Sequence, residues 1–108
     1  MYVEDLASAI YFVLEKKIKK DKTLLNIIKK NSVINVGSSN EFTIKQFAKI
    51  ICSLSNKKCN LIFNKNYPDG TMRKILDNRI MRKLGWKPKV PLKIGLSRTI
   101  NWYKENYL

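Results

Sequence analysis

The stretch Ser32-Val33-Ile34-Asn35-Val36-Gly37 decides how the fold is read. Val33, Ile34 and Val36 are β-branched, and a glycine closes the run, which predicts a short buried strand feeding a loop. A polar connector, Ser38 to Phe42, follows, and then Thr43 with Gln46 three residues on. That spacing predicts a capping box, because the Thr43 hydroxyl can accept the amide of the third helical residue while the Gln46 side chain reaches back. Ile44, Phe47, Ala48, Ile51 and Leu54 recur at helical spacing behind it, and Ser55-Asn56 ends the helix. Strand, loop and helix in succession point to an α/β fold.

Upstream, Val3, Leu6, Ala7, Ile10, Val13 and Leu14 make one apolar stripe of a helix over about 3–17. Glu4 and Asp5 sit in its first turn and Lys16, Lys17, Lys19 and Lys20 at its end, as the helix dipole favours. Residues 21–32 form a basic connector with a short helix over Leu24 to Lys29. Downstream, Asn60 to Phe63 reads as a second strand and Pro68-Asp69-Gly70 as a turn. Asp77 is suited to cap a short helix, Asn78 to Leu84, which Gly85 stops. A proline-punctuated crossing, Trp86 to Pro91, leads into a last helix that starts near Pro91 and presents Leu92, Leu96, Thr99, Ile100 and Tyr103. Trp86 and Trp102 are expected to be core anchors. The order is helix, strand, helix, strand, short helix, helix. Two strands make a marginal sheet, so the chain is expected to be part of something larger, as the buried-looking helix almost at residue 1 also suggests.

At 108 residues with 44% hydrophobic and 28% charged residues, the chain has the composition of one globular domain. The net charge is +14. Such an excess attracts phosphate, in nucleic acid or in a nucleotide ligand. Eighteen of the twenty-two cations are lysines, however, and the chain carries eleven Asn and thirteen Ile. Lys, Asn and Ile are what AT-rich codons produce, so most of the charge reads as genome composition. A small basic nucleic-acid-binding module is the alternative, but its lysines should alternate with aromatic residues, whereas here they lie at helix ends and beside Ile and Leu. No apolar run is long enough to span a membrane and no signal-peptide order opens the chain, so a cytoplasmic location is expected. Histidine is absent, and Cys52 and Cys59 are seven residues apart. That excludes a triad hydrolase and leaves no ligand set for zinc.

Three stretches in this order resemble the carboxy-terminal part of extended short-chain dehydrogenase/reductases that act on nucleotide sugars. They are Tyr2-Val3-Glu4-Asp5-Leu6-Ala7; Ile34-Asn35-Val36-Gly37 with Thr43-Ile44; and Leu84-Gly85-Trp86-Lys87-Pro88 followed by a helix with Gly95-Leu96. Pro68-Asp69-Gly70-Thr71-Met72-Arg73-Lys74-Ile75-Leu76-Asp77 narrows this further and is similar to a segment of the GDP-L-fucose synthase family. The resemblance covers essentially all 108 residues and about the last third of a family member, with residues 16–32 least similar.

The resemblance implies a single carboxy-terminal substrate-binding subdomain over 1–108, without the Rossmann core. It implies an NADP(H)-dependent epimerase and reductase that converts GDP-4-keto-6-deoxy-D-mannose to GDP-L-fucose and works as a homodimer. Another nucleotide-sugar epimerase or dehydratase of the same superfamily is the alternative. The amino-terminal dinucleotide-binding domain would lie outside the chain: the glycines are Gly37, Gly70, Gly85 and Gly95, never in a GxxGxxG arrangement, and there is no Tyr-x-x-x-Lys. No catalytic, cofactor-binding or metal residue is therefore assigned, NADP(H) is not expected to bind this chain alone, and the chain alone is expected to be inactive. What it would supply is the GDP-sugar side, with the amino-terminal half as its partner if the enzyme is split. The resemblance puts Lys74 on the diphosphate and Arg73 beside it, with Asp69 and Gly70 forming the turn that presents them.

Overall fold

The computed structural model describes residues 1–108 except 31, 32, 57, 65, 69 and 73. It contains five helices: α1 (Val3–Ile18), α2 (Lys22–Lys30), α3 (Ile44–Ser55), α4 (Arg79–Leu84) and α5 (Leu92–Tyr107). Among the described residues there is no strand, which corrects the α/β reading with its two strands. Residues 33–37 keep the alternation of a strand, with Ile34 and Val36 half-buried against a core and Val33 and Asn35 exposed. What they lack is a ladder. β-branched residues favour extended backbone, but a strand exists only when a second strand takes its amides and carbonyls. Residues 60–63 likewise form no strand.

The chain forms two compact units. The first comprises Met1–Ser39 and Ile75–Val90. Its core is Ala9, Leu24, Met81, Leu84 and Trp86, with Phe12, Val13, Ile27, Ile34, Val36 and Ile80 packed around it. α1 therefore turns Asp5, Ala9, Phe12 and Val13 inward. Of the predicted stripe, Val3, Leu6, Ile10 and Leu14 are exposed, so the face assignment is corrected although the helix is where it was expected. The Asp5 carboxylate, 4% exposed, accepts the backbone amides of Lys89 (2.9 Å) and Val90 (3.1 Å) and ties the start of the chain to the crossing before α5. Trp86 is a core anchor, as expected, and its indole N–H donates to the Ser8 hydroxyl at 3.1 Å.

The C-terminal ends of α1 and α4 close in the same way. At α4, Trp86 N–H donates to the Met81 carbonyl (2.9 Å) and Gly85 N–H to Arg82 (3.0 Å), with Gly85 at φ 96°. That is a Schellman motif, for which a glycine has no Cβ penalty. α1 ends identically, with Asp21 N–H to Lys16 (2.9 Å) and Lys20 N–H to Lys17 (3.1 Å), but here the left-handed residue is Lys20 at φ 52°. Asp21 then starts α2 by accepting the Leu24 amide at 2.9 Å and Lys16 Nζ at 3.0 Å.

The second unit comprises Asn40–Lys74 and Pro91–Leu108, in which α3 packs on α5. The predicted capping box is present: Thr43 Oγ1 accepts the Gln46 amide (3.1 Å) and Gln46 Oε1 accepts the Thr43 amide (2.8 Å). Asn56 ends α3 in the left-handed conformation at φ 55°. Pro91 stands at the N-cap of α5 rather than at its first helical position. Trp102 is 55% exposed and meets Tyr107 edge to face, so its assignment as a core anchor is corrected. The predicted stripe of α5 faces inward only in its first half, where Leu92, Leu96 and Ile100 are half-buried. No helix among the described residues is long and apolar enough to cross a membrane.

Candidate functional site

Of the four residues expected at a diphosphate, Gly70 and Lys74 are described, whereas Asp69 and Arg73 lie outside the described residues. Gly70 and Lys74 both belong to the second unit, on the exposed segment that follows residues 60–63. Asn66 N–H donates to Asn64 Oδ1 at 3.0 Å, a side-chain-closed turn that opens this segment. Tyr67 and Met72 along it are exposed as well. A Cβ built on Gly70 would meet nothing within 4 Å, so no packing demands a glycine there. Lys74 is exposed, and no ion pair joins it to a described carboxylate. Its ammonium is thus open to solvent and to an anion arriving from it.

Asp77, three residues on and already in the first unit, is committed elsewhere. Its carboxylate accepts the Arg79 amide at 3.0 Å, and its two oxygens take the Arg79 guanidinium in a fork at 2.7–3.0 Å. The Arg79 side chain, then its amide, holds the Asp77 carboxyl down to about 2. Asp77 thus holds the first helical amide from one residue ahead of the N-cap, which is Asn78, so the expectation that Asp77 caps a helix starting at Asn78 is corrected by one residue. Arg79 is correspondingly tied up by Asp77.

Sequence reading missed Asn78. The residue stands at the N-cap position of α4, and its carbonyl accepts the Arg82 amide, but its side chain turns away from the helix. Nδ2 donates to the Gly37 carbonyl at 2.6 Å, and Oδ1 is buried without a hydrogen-bond partner. A Cβ on Gly37 would come within 3.2–3.3 Å of the Leu76 side chain, a tight contact to which that side chain would have to yield by a few tenths of an ångström. The signal was the Asp77-Asn78 pair, two capping residues where one suffices, which frees the second for a distant partner.

The first unit also bears an open depression of about 340 Å³ walled by Tyr11, Phe12 and Trp86 and edged by Glu15, Lys87 and Lys89. It holds none of the expected site residues. No group of three or more His, Cys, Asp or Glu side chains among the described residues is placed to hold a metal ion.

No family model matches the chain, and no solved structure does. Curated proteins do match. The chain is 36% identical to a probable GDP-L-fucose synthase 1 of Oryza sativa subsp. japonica, over all of its own length and 30% of that protein's. It is 35% identical to the GDP-L-fucose synthase of Escherichia coli strain K12, over 98% of its own length and 32% of the other. It is 33% identical to a GDP-L-colitose synthase of Yersinia pseudotuberculosis, over 95% and 30%. The chain thus spans about a third of the length of these relatives.

Proposed function

We propose, on the premise that this chain is a homologue of the GDP-L-fucose synthases over its whole length, that it supplies the nucleotide-sugar-binding part of such an enzyme. The reaction is the NADP(H)-dependent epimerisation and reduction of GDP-4-keto-6-deoxy-D-mannose to GDP-L-fucose. The dinucleotide-binding part and the catalytic groups stand outside these 108 residues, in the stretch of the relatives that the chain does not match. The observation that carries the reading is the whole-length match at 36% identity.

Within it, Lys74 contacts the diphosphate, Arg73 lies beside it, and Asp69 and Gly70 form the turn that presents both. The exposed ammonium of Lys74, in no ion pair with a described carboxylate, supports this role, since a pyrophosphate is a dianion and a cation on an open loop can approach it. Two features of the first unit support the view that more polypeptide completes the fold. Residues 33–36 show the alternating burial of a strand but no ladder, and α1 leaves Val3, Leu6, Ile10 and Leu14 exposed. The relatives named for GDP-L-fucose and GDP-L-colitose support GDP as the nucleotide, and a UDP-sugar enzyme of Arabidopsis thaliana, 32% identical over 98% of the chain, is why UDP is the competitor to test.

The test is a chimera in which this chain replaces the matching 32% of the Escherichia coli relative. Calorimetric titration should show GDP binding more tightly than UDP. Lys74→Ala should weaken GDP about ten- to hundredfold, the loss of one charge-assisted contact. Unchanged GDP affinity in Lys74→Ala would remove Lys74 from the site, and equal binding of UDP would favour another nucleotide-sugar enzyme.

A further inference from the structure

Cys52 and Cys59 occupy positions seven apart that a continuous helix would separate by about 10 Å along its axis. α3 stops at Ser55 instead, and Asn56 at φ 55° turns the chain back. The return brings Cys59 alongside the last turn: its sulfur lies 3.9 Å from the Ser55 hydroxyl, which itself donates to the Cys52 carbonyl at 2.9 Å. Ser55 thus links the Cys59 sulfur to the turn that carries Cys52, and neither cysteine is in a disulfide. Cys59 is exposed and Cys52 half-buried, so a dissolved reagent meets Cys59 first. Hydrogen bonding to Cys59, and then burial, push the Cys52 thiol up, which suits it to wait as the protonated second member of the pair.

We propose that Cys52 and Cys59 form a reversible dithiol–disulfide site whose oxidant is a low-molecular-weight disulfide of the glutathione class. The Cys59 thiolate attacks one sulfur of the oxidant, forming a mixed disulfide and expelling one thiolate. Cys52 gives up its proton to solvent and attacks the Cys59 sulfur, which breaks the mixed disulfide and expels the second thiolate. The protein loses two protons and two electrons, and one small disulfide becomes two thiols. The new bond fastens residue 59, where the segment leading to Lys74 begins, to the end of α3. The proposal is independent of the nucleotide-sugar reading.

Intact-mass spectrometry of the 108-residue chain after incubation with oxidised glutathione tests it. The expected product is lighter by about 2 Da, the two hydrogens of two thiols, gives a cross-linked Cys52–Cys59 peptide, and returns to the starting mass with dithiothreitol. Cys52→Ser should stop at one glutathione on Cys59. The internal bond should form faster in the native chain than in guanidinium chloride, because the fold pre-places the sulfurs. Stable addition of one or two glutathiones to the wild type, no reaction, or closure no faster than in denaturant would each overturn the proposal.

Discussion

The Asp5 carboxylate accepts the Lys89 amide at 2.9 Å from 84 residues away, and its second oxygen takes the next amide, Val90, at 3.1 Å. Asp5 was read from sequence as a first-turn acid that complements the helix dipole. Its larger task is to satisfy two amides of the crossing that carries Trp86 into the core. Replacing it by alanine removes the acceptor of both amides, which belong to an exposed Lys89 and a half-buried Val90. Asp5→Ala should therefore lower the unfolding free energy by about 2–4 kcal/mol, from the loss of two bonds to a charged group at about 1–3 kcal/mol each. Asp5→Asn, which keeps one acceptor oxygen, should fall between. Urea unfolding of the three proteins, followed by circular dichroism, measures this directly.

α1 offers a pair of adjacent residues with opposite expectations. Ala9 is fully buried and Ile10 is 53% exposed. Ala9→Leu forces three extra carbons into the core and should cost about 1–3 kcal/mol. Ile10→Ser in the 108-residue chain should change stability by no more than about 0.5 kcal/mol, as for an ordinary surface position. On the proposed function, in which added polypeptide covers that face, Ile10→Ser in the chimera with the Escherichia coli relative should cost more than it does in the isolated chain. Equal effects of Ile10→Ser in the two contexts would speak against such cover.

The same two positions show what the sequence could and could not disclose. Helix ends were legible because they are local: the Thr43–Gln46 box and the Gly85 stop each need only residues within a few positions, and both are present. The inward face of α1 was not, since the helix has apolar residues on two sides and the partner that buries one of them is far away in sequence. The strand at residues 32–37 failed for a related reason. Its composition fixes an extended backbone and the alternation of Ile34 and Val36, but a ladder requires a partner strand that composition cannot supply. At the candidate site, the Pro68–Asp77 motif could be read directly, and of its four proposed site residues the structure describes Gly70 and Lys74, both exposed. The Asn78–Gly37 bond joins residues 41 apart and had no local sign beyond a surplus capping residue.

Lys20 is a left-handed residue at φ 52° where the equivalent position of α4 is Gly85 at φ 96°. The Cβ of a lysine is strained there, and glycine is the residue that closes such a motif without that cost. Lys20→Gly should raise stability by about 0.5–1 kcal/mol, the left-handed penalty less glycine's extra freedom in the unfolded chain. Gly85→Ala should do the reverse by a similar amount or more. Thermal unfolding of both variants beside the wild type checks the pair, and a lower melting temperature for Lys20→Gly would contradict it.

Asp77 gives the chain an acid-sensitive link. The fork from Arg79 and the Arg79 amide hold its carboxyl at about 2, below the 3.8 of an unperturbed aspartate. A carboxyl that titrates lower in the folded chain than in the unfolded one favours folding while it is ionised. Its contribution is therefore complete above the unfolded value of 3.8 and fades as the pH falls through about 2. Asp21, held below its ordinary value first by the Leu24 amide and then by Lys16, adds a contribution of the same sign. Asp77→Asn isolates the first of these, because asparagine keeps an acceptor for the Arg79 amide but carries no charge at any pH. The stability advantage of wild type over Asp77→Asn should be constant from pH 6 to about 4 and shrink steadily toward pH 2, where the protonated aspartate resembles the amide. Guanidinium would screen an exposed pair of this kind, so urea at low ionic strength is the appropriate denaturant. An advantage that stays level to pH 2 would mean that the fork does not lower the carboxyl, and a direct carbon-13 titration of Asp77 would show the same.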